Sequence, residues 1–142
     1  MRGRIVKGIA GFYYVKADDR IYTCKARGVF KKRGQSLYVG DRVEISLRED
    51  GDGLIEEIFE RKNSFARPPV SNVDLFFIVC AAAGPDPSPG LLDRFTVMAE
   101  QHHTDIVIVI NKCDLAENDK KAADNIAMLK ECYSGVYPII MC

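Results

Sequence analysis

The feature that most limits how this chain can fold is an unbroken run of β-branched residues, 106–110, which ends at a polar tetrad. The run reads Ile-Val-Ile-Val-Ile, and the tetrad is Asn111-Lys112-Cys113-Asp114. A continuous apolar run without polar alternation is typical of a strand in a parallel sheet that helices cover on both faces. Ligands of such sheets bind just beyond the carboxyl ends of the strands. We therefore predict a binding site at the tetrad.

The tetrad has the N-K-x-D pattern by which GTP-binding proteins recognise guanine, with Cys113 at the variable position. Guanine presents a ring N–H and an exocyclic amine side by side, and the Asp114 carboxylate can accept from both. Adenine lacks that amine and would leave the carboxylate unpaired, at a cost of about 1–3 kcal/mol. We expect Asn111 to bridge the base and the neighbouring loops, and the Lys112 stem to lie along the base or ribose. The alternative is that Asn111 and Asp114 only cap a helix after an ordinary strand.

Length and cysteine usage restrict the class of protein. The 142 residues suffice for one ordinary domain or two small ones. The five cysteines are odd in number and form no C-x-x-C pair, which favours reduced thiols and a cytoplasmic location. No apolar run approaches the ~20 residues that span a bilayer, and no signal-peptide core follows the N-terminus. We therefore expect no membrane partner.

A net charge of zero conceals an uneven distribution along the chain. Residues 1–69 contain 15 basic and 10 acidic side chains, whereas residues 70–142 contain 5 and 10. This asymmetry indicates two modules, the first of which faces a polyanion. Within it, Lys31-Lys32-Arg33 is predicted to lie in a polar loop. We expect these three side chains and Arg27 to contact RNA phosphates, although a merely solvated loop is the alternative.

The first 62 residues contain about five short runs with strand-like alternation, separated by turn signals. Such a pattern predicts a small Greek-key barrel of the OB-fold class, which binds oligonucleotides on one face. Asp50-Gly51-Asp52-Gly53 matches the D-x-x-G pattern of a GTPase switch, but its place between two alternating runs favours a hairpin turn. Six aromatic residues interleave with basic ones and suit either the barrel core, which we favour for each, or base stacking. They are Phe12, Tyr13, Tyr14, Tyr22, Phe30 and Tyr38.

The pattern changes after the paired prolines Pro68-Pro69, so residues 63–72 are predicted to be a linker. From residue 73 onward, apolar runs alternate with helical periodicity in the order βαβαβ. Ser88 and Pro89 suit the start of one helix, and Asn118 or Asp119 suits the start of the next. We predict an α/β domain over residues 73–142 with a parallel sheet and right-handed crossovers.

One motif that GTP hydrolysis requires is not found in these residues. Nucleoside-triphosphate hydrolases cradle phosphates with G-x-x-x-x-G-K-[ST], and no such run occurs in the sequence. The N-K-x-D element normally follows that loop late in a GTPase domain. Here only one βα unit precedes it within its domain. Either the order of the motifs is permuted or the protein does without a phosphate loop.

Taken together, the residues resemble the ribosome small-subunit-dependent GTPase A family of circularly permuted bacterial GTPases, over essentially all 142 residues. The segments that carry the resemblance are Gly11-Phe12-Tyr13-Tyr14-Val15, Cys24-Lys25-Ala26-Arg27-Gly28, Val39-Gly40-Asp41-Arg42-Val43, Arg61-Lys62-Asn63, Arg67-Pro68-Pro69-Val70-Ser71-Asn72-Val73-Asp74, Leu92-Asp93-Arg94-Phe95 and Asn111-Lys112-Cys113-Asp114-Leu115.

The resemblance implies an OB-fold, a permuted GTPase domain that begins with N-K-x-D, and a C-terminal zinc-binding domain. It implies GTP hydrolysis during late maturation of the small ribosomal subunit. Asn111, Lys112, Cys113 and Asp114 would then bind the guanine of GTP or GDP, and the basic barrel would bind 16S-type rRNA. Mg²⁺ and zinc would belong to segments beyond Cys142. We therefore expect neither a metal site nor catalytic residues among residues 1–142, which alone would be inactive.

The sequence leaves a second interpretation open: a non-catalytic OB-fold module that binds RNA on the ribosome and keeps a vestigial nucleotide-binding half. In either case, a sheet that stops at its third strand has an unpaired edge, so self-association is expected.

Overall fold

The structure is a computed structural model that describes residues 1–49 and 51–142, apart from the side chain of Lys31. The chain divides into two compact units, Met1–Val73 and Asp74–Cys142.

The first unit is a closed five-stranded barrel, as predicted. Its strands are β1 (Arg2–Ile9), β2 (Phe12–Ala17), β3 (Arg20–Ala26), β4 (Arg42–Leu47) and β5 (Gly53–Ile58). They are ordered β1-β2-β3-β5-β4, with β3 and β5 parallel and the other pairs antiparallel. Alternating apolar residues point inward because successive side chains of a strand face opposite sides. The core contains Ile5, Val15, Cys24, Val43, Ile45 and Ile55.

The predicted basic loop, which starts at Lys31, overlaps the end of a short helix. Helix α1 spans Gly28–Lys32. Phe30, only 5% exposed, inserts from α1 into the barrel core. This burial is a contact between residues distant in sequence, which local polarity could not reveal. In the predicted turn at residues 50–53, Gly51 has φ 85° and joins the antiparallel strands β4 and β5, while Asp50 lies outside the described residues.

The segment predicted as a linker contains a short antiparallel hairpin, β6 (Ser64–Phe65) and β7 (Val70–Ser71), and belongs to the first unit. Asn63 and Asn72 flank the hairpin. Beyond the ends of its two strands, their side chains form hydrogen bonds with backbone N–H groups. The Asn63 Oδ1 atom accepts from the Val73 N–H at 2.8 Å, and the Asn72 Oδ1 atom accepts from the Lys62 N–H at 2.9 Å.

The second unit contains a parallel three-stranded sheet in the order β10-β9-β8. The βαβαβ order agrees with the sequence prediction. Asp119 caps the second of its two long helices, because its carboxylate accepts from the Lys121 N–H at 2.8 Å. Among the described residues, no helix is long and apolar enough to cross a membrane. The elements are β8 (Leu75–Ala81), α2 (Pro89–Gln101), β9 (Asp105–Asn111), a 3₁₀-helix (Cys113–Glu117), α3 (Lys120–Tyr133) and β10 (Ile139–Met141).

Helices α2 and α3 both pack on one face of the three-stranded sheet. Leu92 of α2 and Leu129 of α3 belong to the same apolar cluster as Ile108 of β9. On the opposite face of β8, Phe77 is 53% and Val79 63% exposed. The strands advance in one direction across the sheet, so successive crossovers of one hand place both helices on the same side.

Candidate functional site

The tetrad lies at the carboxyl edge of the parallel sheet. Strands β8, β9 and β10 end at Ala81, Asn111 and Met141 respectively. Beyond β9, Lys112 adopts the left-handed backbone conformation with φ 61°. The chain then turns directly into the 3₁₀-helix that contains Asp114. This turn brings the tetrad to the position where open parallel sheets bind ligands.

Asp114 is exposed, and among the described residues its carboxylate has no hydrogen-bond or ion-pair partner. The alternative role as a helix cap is filled by Asp119, five residues further along the chain. Asp114 therefore keeps both carboxylate oxygens available to a ligand. A bidentate acceptor of this kind matches the adjacent N–H donors of guanine.

Asn111 has one end of its side chain engaged by the backbone. Its Oδ1 atom accepts from the Lys112 N–H at 2.7 Å. This contact orients the amide NH₂ group as a donor. Guanine carries the acceptors O6 and N7 on the edge that a donor amide recognises. The geometry of Asn111 is thus complementary to that of Asp114, since one residue donates and the other accepts.

The Lys112 side chain reaches from the end of β9 to the loop that follows β8. Its Nζ atom donates to the Gly84 carbonyl at 2.6 Å. The aliphatic stem therefore spans the carboxyl ends of two neighbouring strands. An extended stem held at both ends offers a flat apolar strip to a base or ribose.

Cys113 anchors the tetrad to the sheet. Its Sγ atom lies 3.1 Å from the Ile110 carbonyl, and its N–H donates to the Cys142 carbonyl at 3.0 Å. Behind it, burial raises the pKa of the Cys80 thiol, and the proximity of Cys113 adds to that rise. The side chain of Cys113 is partly buried and packs against the core of the second unit.

A group of residues that sequence reasoning did not identify ties the β8–α2 loop to α3. Asp86 forms an ion pair with Lys121, which lowers the pKa of the Asp86 carboxyl. The Asn125 Nδ2 atom donates to the Ala82 carbonyl at 2.8 Å. These contacts hold the loop whose Gly84 carbonyl receives Lys112. The only signal in the sequence was an acidic residue in a loop at the carboxyl edge.

The basic residues predicted to contact RNA lie around α1. Lys32 and Arg33 are exposed, and the Lys31 side chain lies outside the described residues. Arg27 donates from Nη1 to Glu56 Oε2 at 2.7 Å, which compensates part of its charge. Within the described part of the chain, no group of three His, Cys, Asp or Glu side chains could hold a metal ion.

Two family models together match nearly the whole chain. The model described as the RsgA N-terminal domain matches residues 2–55, and the model described as RsgA GTPase matches residues 58–142.

Curated relatives and solved structures agree with these matches. The small ribosomal subunit biogenesis GTPase RsgA of Alkaliphilus metalliredigens is 41% identical over 99% of this chain and 47% of its own length. The protein of that name from Streptococcus agalactiae is 48% identical over 83% of this chain and 41% of its own length. The chain thus spans about half the length of the curated relatives it matches.

The crystal structure of YjeQ from Thermotoga maritima matches with a TM-score of 0.84 and 37% identity, over 99% of this chain and 50% of that chain. YloQ, described as a circularly permuted GTPase, matches with a TM-score of 0.80 and 36% identity over the same shares. The chain therefore belongs to the RsgA GTPase family.

Proposed function

We propose that Asn111, Lys112, Cys113 and Asp114 bind the guanine base of GTP or GDP. The observation that carries this proposal is the exposed Asp114 carboxylate, which has no partner among the described residues and follows the carboxyl end of β9. Asn111 supplies the donor, Lys112 the apolar strip, and Cys113 the anchor to the sheet. An acceptor that can pair with two donors favours guanine over adenine.

The test is calorimetric titration of the 142-residue chain with GTP, ATP and XTP. The chain should bind GTP more tightly than ATP. Asp114→Asn should shift the preference toward XTP, because an amide can donate to the carbonyl that replaces the guanine amine. The matched control is Asp105→Asn, an exposed aspartate at the opposite end of β9. Unchanged GTP preference in Asp114→Asn, or ATP binding equal to GTP binding, would refute the proposal.

We further propose that the barrel binds 16S-type rRNA on the small ribosomal subunit and that the protein assists late maturation of that subunit. The relatives named small ribosomal subunit biogenesis GTPase support this partner. Residues 1–48, which contain four of the five barrel strands, carry 12 basic and 4 acidic side chains, and this excess favours binding to a polyanion. The contacts would come from Arg27, Lys31, Lys32 and Arg33. Maturation of the small subunit would take place in the cytoplasm, where bacterial ribosomes assemble.

RNA binding should weaken steeply as salt rises, because neutralised phosphates release counterions. The Lys32→Gln/Arg33→Gln double variant should reduce the slope of log affinity against log salt by about two. The control Arg20→Gln removes an exposed charge outside this cluster. Salt-independent binding by the unmodified chain would contradict the proposal.

Hydrolysis of GTP requires a group of residues that recognition of the guanine base does not. GTPase activity requires a phosphate cradle, and the sequence of residues 1–142 contains no G-x-x-x-x-G-K-[ST] run. We expect this chain to bind guanine nucleotide without turning it over. Phosphate release at a rate above that of free GTP would overturn this expectation.

We also propose that copies of this chain self-associate through the second unit. The sequence prediction concerned the edge at the third strand, β10. The strand at the opposite edge is β8, whose side chains Phe77 and Val79 are exposed. An open strand edge beside an apolar surface favours pairing with another copy.

A further inference from the structure

The outer face of the barrel between β1 and β3 carries two aromatic side chains, Phe12 and Tyr14, that point away from the core. Val15, fully buried, points into the barrel, and side chains alternate along the strand, so Tyr14, one residue before it, and Phe12, three residues before it, point outward. Phe12 is 39% exposed. By contrast, Tyr13, Tyr22 and Phe30 pack against the core, and Tyr38 lies under the guanidinium of Arg61.

Each outward ring is paired with a lysine from a neighbouring strand. The Lys25 Nζ atom of β3 lies 5.2 Å from the centre of the Phe12 ring, and the Lys7 Nζ atom of β1 lies 5.4 Å from that of Tyr14. The strand registers place Lys25 opposite Phe12 and Lys7 opposite Tyr14. Rings and cations therefore alternate across three strands of a single face.

We infer that this face binds single-stranded RNA by stacking bases on Phe12 and Tyr14 while Lys7 and Lys25 contact the flanking phosphates. The inference deepens the RNA-binding part of the proposed function, on which it rests. Stacking of a base on an aromatic ring is stronger than an exposed cation–π contact, so an arriving base can displace the lysine from the ring. The displaced lysine ammonium then lies beside the backbone of the same RNA strand, where a phosphate oxygen can accept a hydrogen bond from it.

The spacing of the two rings selects single strands. Residues i and i+2 of a β-strand lie about 6.7 Å apart, which is about twice the ~3.4 Å spacing of nucleotides along one strand of double-stranded DNA. Bases that stack on both rings must therefore be splayed apart, a geometry that paired bases in a duplex do not adopt. This face also includes strands β2 and β3, the part of an OB-fold that binds oligonucleotides in other proteins.

The test uses fluorescence anisotropy of the full 142-residue chain with labelled oligo-uridine of about ten nucleotides, a length typical of one OB-fold site. Oligo-uridine should bind more tightly than a duplex of equal length. Phe12→Leu/Tyr14→Leu should weaken oligo-uridine binding by about tenfold or more, and duplex binding should not change. Ile21→Ala, which removes an exposed but non-aromatic side chain from the same face, should leave both affinities unchanged.

Conservative variants separate stacking from folding. Phe12→Tyr and Tyr14→Phe keep an aromatic ring and should retain the affinity of the unmodified chain. Lys25→Gln should lower the salt slope by about one, whereas Phe12→Leu should leave the slope unchanged, since a ring releases no counterion.

The outcomes distinguish this inference from the proposal that precedes it. RNA binding that is steep in salt but insensitive to Phe12→Leu/Tyr14→Leu would overturn the stacking face and leave the phosphate contacts around α1 intact. Equal binding to duplex and single strand would also overturn it. Absence of RNA binding by the unmodified chain would refute both.

Discussion

The guanidinium of Arg61 holds the buried carboxylate of Asp41 with two hydrogen bonds. Arg61 Nε lies 2.7 Å from Asp41 Oδ1, and Nη2 lies 2.8 Å from Oδ2. Asp41 is completely buried and also accepts from the Ser71 hydroxyl at 2.6 Å and the Tyr38 N–H at 2.8 Å. Asp41 thus joins the segment before β4 and the segment after β5 to the hairpin β6–β7. A buried charge is tolerated because every acceptor site has a donor.

Asp41→Asn should destabilise the barrel by about 3 kcal/mol, because removing one partner of a buried pair leaves the other charge unpaired. The measurement is the free energy of unfolding in urea. Asp18→Asn, an exposed turn aspartate with φ 46°, should change that free energy by less than about 0.5 kcal/mol. A loss below about 1 kcal/mol for Asp41→Asn would mean that the network does not stabilise the unit.

Cys24 should make the stability of the barrel fall at alkaline pH. Burial, with a smaller effect from the Asp52 carboxylate, raises the pKa of Cys24 from 9.0 to about 11. The stabilisation is complete below pH 9, because the thiol is protonated in both states. It declines between pH 9 and 11, where the unfolded chain releases the proton first, by about 2–3 kcal/mol in all.

The Cys24→Ala variant tests this predicted loss of stability at alkaline pH. It removes the titrating thiol together with the contacts that the sulfur makes in the barrel core. The variant should be less stable than the parent by about 1 kcal/mol at pH 7. The difference should shrink or reverse by pH 11. Cys132→Ala removes an exposed thiol from the second unit and serves as the control. A constant difference between Cys24→Ala and the parent across this range would exclude the role of Cys24.

The sequence predicted the elements whose signals are local. The run at residues 106–110 indicated β9 because its β-branched residues are continuous, and alternation indicated the five barrel strands. The sequence did not predict α1, because the position of this helix depends on the burial of Phe30 by strands that are distant along the chain. Nor did it show that Asn63 and Asn72 fold residues 63–72 onto the barrel unit, because those contacts join side chains to remote backbone.

Periodicity also could not tell how many faces of a sheet are covered. The continuous apolar run in β8 reads the same whether Phe77 and Val79 are buried or exposed, and the strand order decides between the two. At the candidate site, the sequence alone could single out the tetrad because its four residues are consecutive along the chain. The contact between Lys112 and Gly84 joins segments that only the fold brings together, and so does the ion pair between Asp86 and Lys121.

The Asp86–Lys121 ion pair should affect guanine affinity more than stability. Both side chains are exposed, so Asp86→Asn should leave the melting temperature nearly unchanged. The pair holds the loop that receives Lys112, and its loss should weaken GTP binding up to about fivefold. Calorimetry of Asp86→Asn against the control Lys120→Gln measures this effect.

The pH dependence of this pair follows from the same contact. Lys121 lowers the pKa of Asp86 below 3.8, so the pair is fully charged above pH 5 and weakens only as the pH falls through the lowered value. The ratio of GTP affinities between the parent and Asp86→Asn should therefore be constant from pH 5 to pH 8. A ratio of one throughout would show that the loop does not position Lys112.

Self-association through the second unit should depend on the edge strand β8. Sedimentation equilibrium of the 142-residue chain should give a mass above that of the monomer at high protein concentration. Val79→Lys should shift the equilibrium toward the monomer, because a charge on an edge strand opposes pairing with another copy. Val97→Lys places the same charge on α2, where the valine is 55% exposed, and should leave the mass unchanged. A parent chain that remains monomeric at every concentration, or an equal response to both lysines, would show that the edge of β8 is not the contact.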